Sequence, residues 1–337
     1  MKAIAPGKLI LSGEYAVVFG RPALAMAIDR SAVAEVRAEA DRGDRGVTFD
    51  LPGVNAHERY TVRALRALQR RVTKNYRLFL DGQLGIREVL RKPIELFQFG
   101  FIMVLDGLHL KLGEALNLRV DSTIPIGCGL GSSAASVLSA LRAVGHYFRV
   151  DFRPDWYYEY SLEAERMQHG FPSGVDSYIS LHGGCARFQD GRAERIPLPR
   201  TPITLVDTGA PSTTTGQGVE QVRIRHGASR IWDDFAGVTR AMEAALASND
   251  PEAIRAAIRE NHRLLRAIGV VPDRVAAFAR EVEACGGAAK VCGAGAIAGD
   301  AAGIVLVSAD ALPPDLYARF GYTPLPVRGE PLGVRLV

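Results

Sequence analysis

Three glycines alternate at positions 127, 129 and 131 of the stretch IPIGCGLGSSAASVLSAL, residues 124–141, and Ser132, Ser133 and a run of helix formers follow at once. No other feature restricts the folding of this 337-residue chain as much. Glycine permits backbone conformations and close approaches barred to other residues. A helix starting behind such a turn presents unpaired N–H groups and a partial positive charge. A large anion can then approach them. The same residues also suit an ordinary strand-to-helix connection capped by serine. The turn is not the common P-loop, because no lysine follows its last glycine. If it cradles phosphate, the cation comes from elsewhere in the chain.

The length suits two domains or one large one. An apolar share of 47% and a charged share of 23% are globular values. The net charge of +4 argues against a nucleic-acid binder driven by phosphate neutralisation. No apolar run reaches the roughly 18 residues of a membrane span, and MKAIAPGKLILSGEYAV lacks the apolar core of a signal peptide. Cys128, Cys185, Cys285 and Cys292 form no CxxC pair and have no histidines at zinc spacing. Free buried thiols in a reducing cytoplasm are the simplest account of them.

Along the chain, residues 2–28 read as short strands broken by Pro-Gly and Gly-Arg-Pro turns, with SAVAEVRAE and GVTFDLPG as further strands. Residues 59–80 read as a helix with Leu65, Leu68 and Val72 on one face and a solvated arginine-rich face. A second helix is expected from Pro93 to Leu108. LNLRVDSTIPIG is a strand entering the glycine turn, and WYYEYSLEAERMQHG is a helix stopped by Gly170 and Pro172. Pro197, Pro199 and Pro202 mark a change of texture, which places a domain boundary near 190. ITLVDTG is a strand, and helices are expected over 218–247, 251–267 and 273–285. AAKVCGAGAIAGDAAGIVLVS reads as strand, glycine turn and strand. Strands and paired helices in this order give an α+β layer.

Four places carry chemistry. Lys8, between Pro-Gly and an apolar strand, is either a snorkelling edge residue or a cation aimed at a phosphate. The glycine turn is the second. Asp176, in SGVDSYISLHGG, reads alone as a helix cap. Glu165, eleven residues earlier, reads alone as a surface residue; turned inward it is a hard oxygen ligand for Mg²⁺. The fourth is KVCGAGAIAGD, residues 290–300, an ordinary turn or a second backbone wall around a ligand. Their joint order is more informative than any one of them.

In that order the chain resembles the GHMP kinases, through APGKLILSGEYAVVFGRPALAMAI, PIGCGLGSSAAS, ERMQHGFPSGVD and GGAAKVCGAG. The likeness spans nearly the whole chain and is greatest to the mevalonate kinase branch. The Gly-Glu-His-Thr-Asp start of galactokinases and the Tyr-Trp-Gly-Lys opening of the related decarboxylases are absent. The resemblance implies a two-domain α+β fold. Residues 1–190 would form a domain like the second domain of ribosomal protein S5, and residues 191–337 a ferredoxin-like domain. It implies ATP bound by Gly127, Gly129, Leu130, Gly131, Ser132 and Ser133, and Mg²⁺ on Ser133 and Glu165. Asp176 would be the catalytic base with Lys8 beside it. Substrate contacts would come from Lys8, Glu14, Tyr15, Asp176 and Thr214, the last in uncertain register with Thr213. The acceptor implied is mevalonate, phosphorylated to 5-phosphomevalonate in the mevalonate pathway of isoprenoid biosynthesis. The setting implied is a cytoplasmic enzyme, often a homodimer, with no nucleic-acid or membrane partner.

Two departures bear on this. Relatives in this branch usually carry histidine where Tyr15 stands, and some phosphomevalonate kinases resemble this chain there. In the third motif Ala296, Ile297 and Ala298 replace part of a glycine run, and Cys292 stands where Thr or Ser is common. The nearest alternative is phosphomevalonate kinase, for which Arg223 and Arg225 are candidate extra cations. A catalytically silent ATP-binding sensor is disfavoured because Lys8, Glu165 and Asp176 are all present.

Overall fold

The computed structural model describes residues 1–39, 45–213 and 215–337. Its first sheet starts with β1 (Lys2–Ser12) and β2 (Ala23–Ala38), paired antiparallel. These are two long strands, not the short segments expected. The Pro-Gly pair is absorbed as a register shift between Pro6 and Gly7 instead of ending β1. β3 (Gly46–Leu51) and β4 (Ala56–Thr61) form a hairpin. α1 (Val62–Leu80) follows directly and buries Leu65, Leu68 and Val72. The helix expected from 59 therefore begins at 62. Residues before it pair with β3, and the Thr61 hydroxyl caps the helix by accepting from Ala64 N at 3.2 Å.

α2 (Ile94–Gly107), β5 (Leu116–Ser122), α3 (Ser132–Tyr147), α4 (Pro154–His169) and α5 (Val175–His182) come next, then the hairpin β6 (Cys185–Gln189) and β7 (Arg192–Ile196). The sheet order is β12-β1-β2-β5-β3-β4, with β6 also on β2; β12 (Arg335–Leu336) returns from the far end of the chain. α3 lies across β1 and β2, flanked by α2 and α4.

The second sheet is built from β8 (Ile203–Asp207), β9 (Ala288–Cys292), β10 (Ile304–Ser308) and β11 (Thr323–Val327), in the antiparallel order β11-β8-β10-β9. α6 (Thr215–His226), α7 (Ile231–Ser248), α8 (Pro251–Ala267) and α9 (Asp273–Ala284) lie between β8 and β9, and α10 (Leu316–Phe320) precedes β11. The single helix expected over 218–247 is two, separated at Gly227–Arg230, where the Trp232 indole N–H donates to the His226 carbonyl at 2.7 Å. Residue 190 falls in the tight turn between β6 and β7, inside the first sheet; the chain passes to the second sheet through 197–202.

One apolar cluster runs through both sheets, from Leu9, Phe49, Phe101 and Leu141 to Leu205, Met242, Ile258 and Leu306. A second packs Phe235, Phe278, Val291 and Val305 and reaches Tyr15 and Ala16 of the first motif. Burying each such side chain is worth about 1.5–3 kcal/mol, so the two halves are joined by their cores. All four cysteines are free thiols; Cys128, Cys185 and Cys292 are buried as expected, whereas Cys285 is exposed. Among the described residues no helix is long and apolar enough to cross a membrane.

Candidate active site

The glycine bend adopts the backbone that only glycine takes readily, with φ of 76°, 78° and 70° at Gly127, Gly129 and Gly131. Gly131 is the N-cap of α3, and no side chain caps this helix end. The serine-cap reading therefore fails. Ser132 and Ser133 are instead the first residues of α3, and the Ser133 hydroxyl is free to turn elsewhere. It donates to Glu165 Oε2 at 3.1 Å.

β1 passes directly beneath the bend. The Lys8 amide donates to the Leu130 carbonyl at 2.9 Å. A Cβ at Gly131 would stand 2.8 Å from Lys8 Cγ, so this glycine is what lets the lysine lie against the turn. Lys8 is buried and not a snorkelling edge residue. Its Nζ donates to the Gly129 carbonyl at 3.0 Å and pairs with Asp176 Oδ1 at 3.1 Å. Asp176, in the first turn of α5, keeps 35% of its side chain exposed, so the carboxylate still faces solvent. Its N-cap is Gly174, and again no side chain caps the helix. Residues 121 and 168 positions apart in the chain thus meet at one ammonium.

Glu165, on α4, is 3% exposed, and its Oε1 has no hydrogen-bond partner. Burial pushes its carboxyl above the ordinary glutamate range; His169 opposes that shift and Asp176 adds to it. His169 Nε2 lies 3.6 Å from Glu165 Oε2 and 3.5 Å from the Ser133 hydroxyl. Sequence reading missed His169, although its spacing of four from Glu165 puts both on one helix face. A buried carboxylate oxygen without a partner, beside a serine hydroxyl at a helix start, fits a hard cation such as Mg²⁺. Among the described residues no group of three or more His, Cys, Asp or Glu side chains holds a metal alone.

The third glycine bend backs the first. A Cβ at Gly129 would lie 3.3 Å from the Cys292 carbonyl and 3.5 Å from Gly293 Cα. The residues that depart from the glycine run contact the loop after β8: the Ser212 hydroxyl donates to the Ala298 carbonyl at 2.6 Å, and Ile297 N donates to the Thr213 hydroxyl at 3.4 Å. Thr214 lies outside the described residues.

Glu14 and Tyr15 are engaged with partners other than Lys8 and Asp176. The Glu14 carboxylate pairs with Lys290 through one oxygen and accepts from Asn261 Nδ2 at 3.2 Å through the other. Lys290 is completely buried and also donates to the Ile10 and Val291 carbonyls at 3.3 and 3.1 Å. Burial works to lower its proton affinity, but Cys292 and Glu14 outweigh it and hold Lys290 above the ordinary lysine value. The sequence offered a signal for Lys290, a lone charge in the apolar strand AAKVC, which the glycine pattern beside it overshadowed. The Tyr15 hydroxyl donates to the Ala294 carbonyl at 2.5 Å, and burial pushes its phenol upward.

Two family models match the chain: the GHMP kinases N terminal domain over residues 100–184 and the GHMP kinases C terminal domain over 242–299. The chain is 31% identical over 312 residues to a mevalonate kinase of Thermococcus sibiricus, covering 87% of this chain and 86% of the relative. It is 28% identical over 305 residues to a mevalonate kinase of Archaeoglobus fulgidus, covering 88% and 89%. The crystal structure of Methanococcus jannaschii mevalonate kinase superposes with a TM-score of 0.80 over 98% of each chain, at 20% identity.

Proposed function

The chain belongs to the GHMP kinases, with their two-domain α+β fold, and from that premise we propose that it transfers the γ-phosphoryl group of ATP to the primary hydroxyl of mevalonate, giving 5-phosphomevalonate and ADP. The observation that carries this reading is the buried Lys8 ammonium, which joins the glycine bend to Asp176.

Phosphoryl transfer asks a protein for positioning and charge compensation. The amides of Gly127–Ser133 and the start of α3 hold the triphosphate. Lys8 sets a positive charge between that bend and Asp176 and orients the carboxylate. Asp176 accepts the proton of the acceptor hydroxyl as general base. Ser133 and Glu165 would hold Mg²⁺, which when bound offsets charge on the phosphates. Replacing Glu165 by Gln keeps the shape and removes the charge; the Mg²⁺ concentration for half-maximal rate is expected to rise at least tenfold. A magnesium titration that overlays the parent's removes Glu165 from that role.

An acceptor that already carries phosphate needs further cations near the cleft. Arg223 and Arg225 are exposed on α6, and Arg225 reaches toward Gly269. The relatives at 31% and 28% identity are mevalonate kinases, which supports mevalonate as the acceptor. The four unpaired thiols support a reducing, cytoplasmic site of action. ADP release is measured with mevalonate and with 5-phosphomevalonate in parallel. The reading expects turnover with the first and background with the second; the reverse overturns it.

A further inference from the structure

The third glycine bend is held from the first motif at two points. One is the buried Glu14–Lys290 pair, which ties the end of β1 to β9. The other is the Tyr15 hydroxyl on the Ala294 carbonyl. Tyr15 itself stands at φ 61° and ψ −49°, a backbone conformation an L residue adopts only where its surroundings over-determine it. The surroundings do so here. Ala16 N donates to the Glu14 carbonyl at 2.6 Å and Val18 N to the Tyr15 carbonyl at 2.9 Å. Tyr15 belongs to the same buried apolar cluster as Val206 and Val222 and is 5% exposed. A Cβ on Gly218 of α6 would lie 2.8 Å from the hydroxyl, so the helix closes over the contact with Ala294. A phenol spent on a backbone carbonyl and covered by a helix has no donor left for an acceptor molecule.

What Tyr15 fixes is nonetheless close to the nucleotide bend. Ala294 follows Gly293, which with the Cys292 carbonyl packs on Gly129. The Gly129 carbonyl in turn takes the Lys8 ammonium. From these contacts we propose that Tyr15 is a positioning residue for the nucleotide, acting through Ala294 and the third bend, and that it makes no contact with the acceptor. The inference rests on the kinase reading above. It assigns the tyrosine that replaces the usual histidine a different task in the same place.

The test is Tyr15→Phe, which keeps the ring and removes one hydrogen bond. Magnesium AMPPNP is titrated into wild type and variant without acceptor, and KM for mevalonate is measured separately. Loss of one such bond predicts nucleotide affinity weaker by about fivefold, with KM for mevalonate unchanged within about twofold. Gly218→Ala, which pushes on the hydroxyl and leaves Tyr15 intact, is expected to weaken AMPPNP in the same direction. Unchanged AMPPNP affinity in folded Tyr15→Phe overturns the inference, whether or not melting temperature falls. A rise confined to the KM for mevalonate overturns it as well, by making Tyr15 an acceptor contact. A wild-type chain that takes up no AMPPNP overturns the kinase reading and this inference together; normal uptake with no difference between variants overturns this inference alone.

Discussion

A carboxylate paired on one oxygen with a buried ammonium, and still open to solvent, can accept a proton and keep its place while doing so. Asp176 has that arrangement. Asp176→Asn retains an oxygen for Lys8 but loses the basic site. Turnover is expected to fall by about 10²–10⁴-fold, with AMPPNP affinity nearly unchanged. Single-turnover transfer at the parent rate would remove Asp176 from the role of base. His262 makes a different residue-scale prediction. It is buried on α8 with its Nδ1 unpartnered, and burial, with Arg266 and Lys290 nearby, pushes it down to about 4. The folded state therefore binds fewer protons than the unfolded chain between the ordinary histidine value and about pH 4. Stability present above pH 6.5 is lost as pH falls through that window, at roughly 1.4 kcal/mol per pH unit. His262→Leu should flatten this slope in urea midpoints taken between pH 7 and 5; an unaltered slope assigns the loss to other groups.

Elements explain why the glycines differ. Gly127 and Gly131 share nearly the same positive φ, but a Cβ at Gly127 meets nothing within 4 Å while one at Gly131 strikes Lys8. Alanine at either position costs about 1–2 kcal/mol of backbone strain. Only Gly131→Ala should also displace the lysine. Similar losses of thermal stability are expected in the two variants, with kcat falling more than tenfold in Gly131→Ala alone. Equal kcat losses would mean the bend, not Lys8, is what was disturbed. The bend and the amphipathic face of α1 were legible in the sequence because both are local patterns. The length of β1 was not, because a register shift let Pro6-Gly7 continue a strand that local propensity would end. The break between α6 and α7 carried a local signal in Gly227, which the single helix expected over 218–247 passed over.

At the scale of the molecule, the two sheets share an apolar cluster and a buried polar chain. In that chain Ser12 bonds Thr239 at 2.9 Å and Asn261 at 2.8 Å, and Asn261 continues to Glu14 and Lys290. We place the junction between the halves in the proline-bearing segment 197–202. Halves joined through a common core should unfold together, so calorimetry is expected to show one transition. Magnesium AMPPNP at 100 times its Kd adds about 2.7 kcal/mol to the folded state and should move that transition up as a unit. Two separated peaks, or a shift in only part of the heat, would contradict this coupling.

The sequence by itself determined the order of glycine bends, the helix that follows the first of them, and the residue types that phosphoryl transfer requires. Each is written in neighbouring residues, where backbone freedom, capping and helical period act directly. Only the tertiary structure decided that Lys8 lies buried between Gly129 and Asp176, that Ser133 turns to Glu165, and that Glu14 and Tyr15 hold the third bend. Those pairings join residues far apart in the chain. Burial and register bring them together, and neither is expressed in any short stretch of sequence.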